Sequence, residues 1–70
     1  MNIVLFGASG RIGRTLLKGL HSAFPEAHIT GCTRDENTAE TSHLMRFDPF
    51  YDDWSQLGHV DILINAVGIF

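Results

Sequence analysis

Ile3-Val4-Leu5-Phe6-Gly7-Ala8-Ser9-Gly10-Arg11-Ile12-Gly13 is the stretch on which the reading of the fold turns. Four consecutive apolar residues stopped by a glycine suit a strand covered on both faces, as in a parallel sheet, better than a half-exposed one. From Arg11 onward, Ile12, Leu16, Leu17, Leu20, Ala23 and Phe24 recur as one helical stripe, while Arg14, Lys18 and His21 share the other face. Pro25 closes that helix. Between strand and helix the glycines fall at every third position. Gly7 permits the tight turn, Gly10 lets the backbone approach a ligand, and Gly13 lets the helix sit close on the sheet. The N–H groups that open the helix have no intrahelical partner and carry the positive end of its dipole, an arrangement that suits a pyrophosphate.

Further along, Ala27 to Thr33 predicts a second strand with Ile29 and Cys32 as its larger apolar residues. Asp35 to His43 is polar and is either a loop or a short surface helix. Leu44 to Phe47 predicts a third strand. Phe50, Trp54 and Leu57 then recur at helical spacing before Gly58, which predicts a second amphipathic helix of about two turns. Phe50 and Trp54 are expected in the core, with Asp52-Asp53 as dipole partners at the start of that helix. Val60 to Val67 is the strongest strand signal, again continuous rather than alternating. Strands alternating with helices predict an α/β protein: the first half, about four strands, of a Rossmann-like doubly wound parallel sheet in a three-layer αβα arrangement. Residues 1–70 are expected to be the N-terminal part of a single dinucleotide-binding domain, truncated at the point where the strand order reverses.

Composition narrows the partners. Seventy residues with 44% apolar and 19% charged side chains call for a core, although so short a chain buries only about 60% of its unfolded surface. A net charge of −3 supplies no footprint for nucleic acid or an anionic membrane. A lone cysteine, Cys32, cannot form an internal disulfide. The Met1-Asn2 start lacks a basic leader and Ile3 to Phe6 is too short to span a bilayer, so a cytoplasmic setting is expected. The histidines His21, His28, His43 and His59 have no metal-ligand spacing and are expected at the surface. No metal site is expected.

Two other nucleotide-binding patterns fit less well. A P-loop would need glycine at Ala8 and lysine at Arg14. A methyltransferase places an acidic ribose-binding residue at the end of strand two, where this chain has Thr33-Arg34.

Three segments in order resemble the short-chain dehydrogenase/reductase family, over the whole length of the chain. Gly7-Ala8-Ser9-Gly10-Arg11-Ile12-Gly13 is similar to the family's nucleotide loop, in the Gly-x-x-Gly-x-x-Gly spacing of its extended and atypical branches. Phe47-Asp48 resembles the position whose Asp bonds the adenine amine. Asn65-Ala66-Val67-Gly68 resembles the Asn-Asn-Ala-Gly segment, with Ala66-Val67 standing for Asn-Ala. The resemblance implies NAD(P) binding by Gly7, Ser9, Gly10, Arg11, Ile12, Gly13, Thr33, Arg34, Asp48, Asn65, Ala66 and Gly68.

Arg34 lies about twenty residues beyond the glycine loop, where an acid selects NAD and a basic residue accommodates the 2′-phosphate of NADP. A guanidinium matches phosphate bidentately, Thr33 offers a hydroxyl beside it, and Arg11 offers a second cation, so NADP is the expected cofactor. NAD is the alternative if Asp35 takes the ribose. Arg14 is expected to be solvated. The resemblance also implies hydride transfer with a carbonyl or alcohol substrate, by a Tyr acid/base and a Lys four positions later. Neither is present: Tyr51 is followed by Ser55, and the only lysine is Lys18 on the first helix. No catalytic residue is therefore assigned. The expected function is the NADP(H)-binding portion of an oxidoreductase, with a non-catalytic dinucleotide sensor as the alternative. Strand four, left as a hydrophobic edge from Val60 to Phe70, predicts self-association.

Overall fold

The computed structural model describes residues 1–68. Four strands, β1 (Asn2–Phe6), β2 (His28–Thr33), β3 (Met45–Arg46) and β4 (Ile62–Asn65), form one all-parallel sheet in the order β3-β2-β1-β4. Helices α1 (Arg11–Ala23) and α2 (Glu36–Ser42) supply the first two crossovers. The chain is thus an α/β protein, as its alternating pattern predicts. The Val60 to Phe70 edge extends to Ile69 and Phe70, which lie outside the described residues.

β1 is central because its side chains are apolar on both faces of the pleat. Ile3, Val4, Leu5 and Phe6 are all buried. Leu5 faces a cluster with Ala8 and Ala66, against which Leu16, Leu17 and Leu20 of α1 pack, together with Leu44 and Ile64. Val4 and Phe6 face the opposite way and join Cys32 and Phe47, with Met45, Leu57, Val60 and Val67 around them. The Phe6 ring stacks on Phe47 at 5.7 Å between centroids and meets the edge of Trp54 at 5.3 Å. Each fully buried Leu or Phe contributes about 1.5–3 kcal/mol, so Leu5, Phe6 and Phe47 are large contributors in so thin a core.

α1 stops at Ala23, with Phe24 as its C-cap donating its N–H to Leu20 O. Ala23 and Phe24 are exposed, so the apolar stripe ends at Leu20. The undecided segment 35–43 is helical from Glu36. Asp35 caps it by accepting from Asn37 N, and His43 closes it in the left-handed conformation at φ 56°. The regular part of β4 is shorter than its apolar run, but pairing continues at both ends, where Asp61 N donates to Asn2 O and Ala66 N to Phe6 O.

One expected element fails. No two-turn helix spans Phe50 to Leu57: the segment forms a single 3-10 turn, Trp54–Leu57, closed by Gly58. Local side-chain-to-backbone bonds outcompete the helical ladder here. Asp48 Oδ1 accepts from Phe50 N at 2.9 Å, and Asp48 O accepts from Tyr51 N and Asp52 N. Asp52 is held by Arg46 at 2.7 Å and by Asp48 N at 2.8 Å, and so serves this turn rather than a helix dipole. Asp53 does cap the 3-10 turn, accepting from Ser55 N, and that bond holds its carboxyl below the usual range. In consequence Phe50 is not in the core but 69% exposed, and Trp54 is half-exposed with its Nε1 donating to Pro49 O.

Candidate functional site

The carboxyl ends of β1, β2 and β4 converge on one cleft of about 320 Å3. Its floor is Phe6, Cys32, Phe47 and Ala66; its rim carries Gly7, Ser9, Gly10, Thr33, Arg34, Asp35, Pro49, Val67 and Gly68. β1 has β2 on one side and β4 on the other, so the chain leaves it between two diverging crossovers. In open α/β sheets that is where ligands bind.

Two of the three loop glycines are required by the protein itself. Gly7 has φ +76°, and a Cβ there would lie 2.9 Å from the Ala66 carbonyl carbon. That places the glycine loop in backbone contact with the segment following β4. A Cβ on Gly13 would overlap the Gly7 carbonyl, so only glycine lets α1 begin so close to the turn. Gly10 is different. Its backbone is ordinary extended (φ −74°, ψ 171°) and a Cβ there would meet only Gly7 O at 3.6 Å, so packing places no demand for glycine at this position.

Gly10 is also the N-cap of α1, and it provides no side-chain cap. Gly10 N donates to Gly7 O at 3.2 Å and Ala8 N to Cys32 O at 3.0 Å. Among the described residues no carbonyl or side chain accepts from the N–H groups of Arg11, Ile12 or Gly13, the first turn of a 13-residue helix. An acceptor-rich anion fits such a set of donors.

The hydroxyl of Ser9 lies 2.9 Å from that of Thr33, which is 4% exposed and also accepts from Asp35 N at 3.3 Å. Thr33 is therefore engaged within the protein. Arg34 follows it on the rim, exposed and without an ion pair among the described residues. Both oxygens of Asp35 are used: Oδ1 accepts from Asn37 N at 3.0 Å and Oδ2 from Thr38 Oγ1 at 2.9 Å.

Of the residues singled out from sequence, Gly7, Ser9, Gly10, Thr33, Arg34, Ala66 and Gly68 line this cleft. Arg11, Ile12 and Gly13 form the adjacent first turn of α1, Arg11 exposed and Ile12 half-buried. Asp48 and Asn65 are not in the lining, although their neighbours Phe47, Pro49 and Ala66 are. Asn65 turns its Oδ1 onto Val67 N at 3.0 Å and shapes the segment after β4. Phe6, Cys32, Phe47, Pro49 and Val67 also line it, although the sequence assigns none of them to the site, since an apolar residue lining a cleft has the same sequence signature as a core residue. The Cys32 thiol is pushed up to about 11 by burial, so at neutral pH it is an unreactive wall of the cleft.

All four histidines are exposed; His59 pairs with Asp61 at 2.9 Å on the far side of the sheet, by the start of β1. No helix among the described residues is long and apolar enough to cross a membrane. No protein-family model matches the chain, and no curated protein or solved structure matches it either.

Proposed function

We propose that this chain is the NADP(H)-binding portion of an oxidoreductase similar to the short-chain dehydrogenases/reductases, built on the first half of a Rossmann-like doubly wound sheet. The observation that carries the reading is the uncapped first turn of α1, opening beside a cleft at the carboxyl ends of β1, β2 and β4. In this reading the N–H groups of Arg11 to Gly13 bind the pyrophosphate, and the bare Gly10 leaves room for it. Gly13 seats α1 on the turn, and Gly7 holds the turn against the Ala66–Gly68 segment, which borders the adenine-side ribose. The guanidinium of Arg34, assisted by Arg11, faces the 2′-phosphate. Asp35 is committed to capping α2, which favours NADP over NAD.

The nicotinamide, when bound, supplies hydride exchange with a small carbonyl or alcohol substrate. The chain contributes binding and orientation and no acid/base pair, because Tyr51 lacks a lysine four places on. The second reading is a non-catalytic dinucleotide sensor built on the same sheet. A reductase assay with NADPH separates the two: turnover by a longer form carrying a Tyr–Lys pair supports the enzyme, and binding without turnover supports the sensor. The outer edge of β4, with Ile62 and Leu63 exposed, supports self-association.

Calorimetric titration of wild-type and Arg34→Ala protein with NADPH and NADH tests the cofactor assignment. A charge-assisted contact is worth about 1.5–3 kcal/mol, so Arg34→Ala should weaken NADPH by about ten- to a hundredfold at fixed ionic strength and leave NADH nearly unchanged. Equal losses for both cofactors would make Arg34 a general contact, and a wild-type preference for NADH would overturn the assignment.

A further inference from the structure

Thr33 is the one polar side chain that is buried among the described residues, and it sits at the rim of the cleft. A hydroxyl taken out of water needs partners, and Thr33 has two on different elements. Its Oγ1 is 2.9 Å from Ser9 Oγ, in the middle of the glycine loop, and it accepts from Asp35 N at 3.3 Å, two residues on along its own strand end. The chain of bonds does not stop there. Asp35 passes it on through Oδ1 to Asn37 N and through Oδ2 to Thr38 Oγ1, into the first turn of α2. Arg34 lies between the two pinned residues: its preceding neighbour is fixed to the loop and its following neighbour to α2. The backbone that carries the guanidinium is thereby held at a set distance from Gly10 and the first turn of α1, while the side chain itself stays exposed on the cleft.

We infer that Thr33 is a positioning residue: its hydroxyl couples the glycine loop to the Arg34 backbone, so that one dinucleotide meets the pyrophosphate donors and the 2′-phosphate cation together. The inference rests on the proposed NADP reading for its ligand, but the coupling is a property of the free protein. Thr33→Val keeps the volume and the β-branched shape and removes both bonds; Thr33→Ser keeps the hydroxyl and serves as the rescue.

Two measurements on the 70-residue chain decide it. Amide hydrogen exchange of the free protein should quicken about tenfold at Asp35 and at the bonded loop amides of Ala8 and Gly10 in Thr33→Val, with Val4 and Leu5 of β1 unchanged and Thr33→Ser close to wild type. Titration with 2′,5′-ADP and 5′-AMP should show the preference for the 2′-phosphorylated probe falling about three- to tenfold in Thr33→Val and returning in Thr33→Ser. A merely structural role would weaken both probes alike and would leave the preference intact, which would overturn the inference, as would unchanged exchange at Asp35, Ala8 and Gly10. If wild type binds neither probe, the dinucleotide reading fails, and the exchange comparison alone upholds or overturns the coupling.

Discussion

On one face of the sheet α1 lays Leu16, Leu17 and Leu20 over Leu5 and Ile64, whereas the other face, with Val4, Phe6 and Cys32, is covered by the connection between β3 and β4, which begins with Phe47. That connection contains one 3-10 turn and a string of Asp-centred turns. The difference is visible at the surface. Of the large hydrophobics exposed among the described residues, Phe50, Tyr51, Trp54, Ile62 and Leu63 belong to the connection or to β4, and Met1 and Phe24 are elsewhere. The surface of 4829 Å2 is about a tenth larger than a folded monomer of this mass exposes. A regular helix closes a face and leaves its first-turn donors unpaired; an irregular connection spends its polar groups on itself and leaves apolar surface uncovered.

The comparison can be broken hardest at Gly13. A side chain there would overlap the Gly7 carbonyl, so Gly13→Val should lift α1 from its face and cost about 5 kcal/mol or more, seen as loss of a cooperative urea transition by circular dichroism. A cooperative transition near the wild-type midpoint would show that α1 is not seated as described. On the other face the effects should divide. Phe6→Ala should cost about 3–5 kcal/mol, a large part of the total stability of so small a domain. Trp54→Ala, half-exposed, should cost only about 1–2 kcal/mol through its edge contact with Phe6. Equal costs would mean that the connection covers its face as fully as α1 covers the other.

Sequence patterning served the two regions unequally, for the same reason. β1, α1 and the glycine turn were legible because continuous apolar runs and a helical stripe are what burial on a sheet requires. The 48–57 segment was not, because Phe50, Trp54 and Leu57 mimic a helical period while the bonds that shape the backbone come from Asp48, Asp52 and Asp53, which have no period. In the site, the glycines and Arg34 could be placed from spacing alone. The Ser9–Thr33 contact could not, since it joins residues 24 apart, one in the glycine loop and one at the end of β2. The engagement of Asp35 was equally hidden, because it depended on segment 35–43 being a helix that needs a cap.

Two smaller effects sharpen the contrast through pH. Burial on the thinly covered face raises the Cys32 thiol from 9.0 to about 11, so the folded state favours the neutral form. Its contribution is complete below pH 9 and is lost as pH rises toward 11. Wild type should therefore lose about 1 kcal/mol more than Cys32→Ala over that interval in urea titrations, the figure being modest because the thiol borders an open cleft. No difference between the two would place Cys32 in a better solvated setting. Asp61 should have the smallest effect. The Asn2 N–H first, and His59 second, hold its exposed carboxyl below 3.8, so its contribution is present above that pH and lost as pH falls below it. Asp61→Asn should slightly lower the melting temperature at neutral pH and have no effect in strong acid; the same decrement at both would contradict the assignment.

The most direct test of the glycine loop as a dinucleotide site uses the glycine that packing does not require. The extended backbone and open surroundings of Gly10 accept a side chain, and an aspartate there would cap α1, so Gly10→Asp should fold with a melting temperature equal to or above wild type. The same carboxylate would occupy the donors and repel a pyrophosphate. Calorimetric titration of NADPH into the two proteins should then give binding to wild type and none to Gly10→Asp. Unchanged affinity in a well-folded Gly10→Asp protein would contradict the pyrophosphate site.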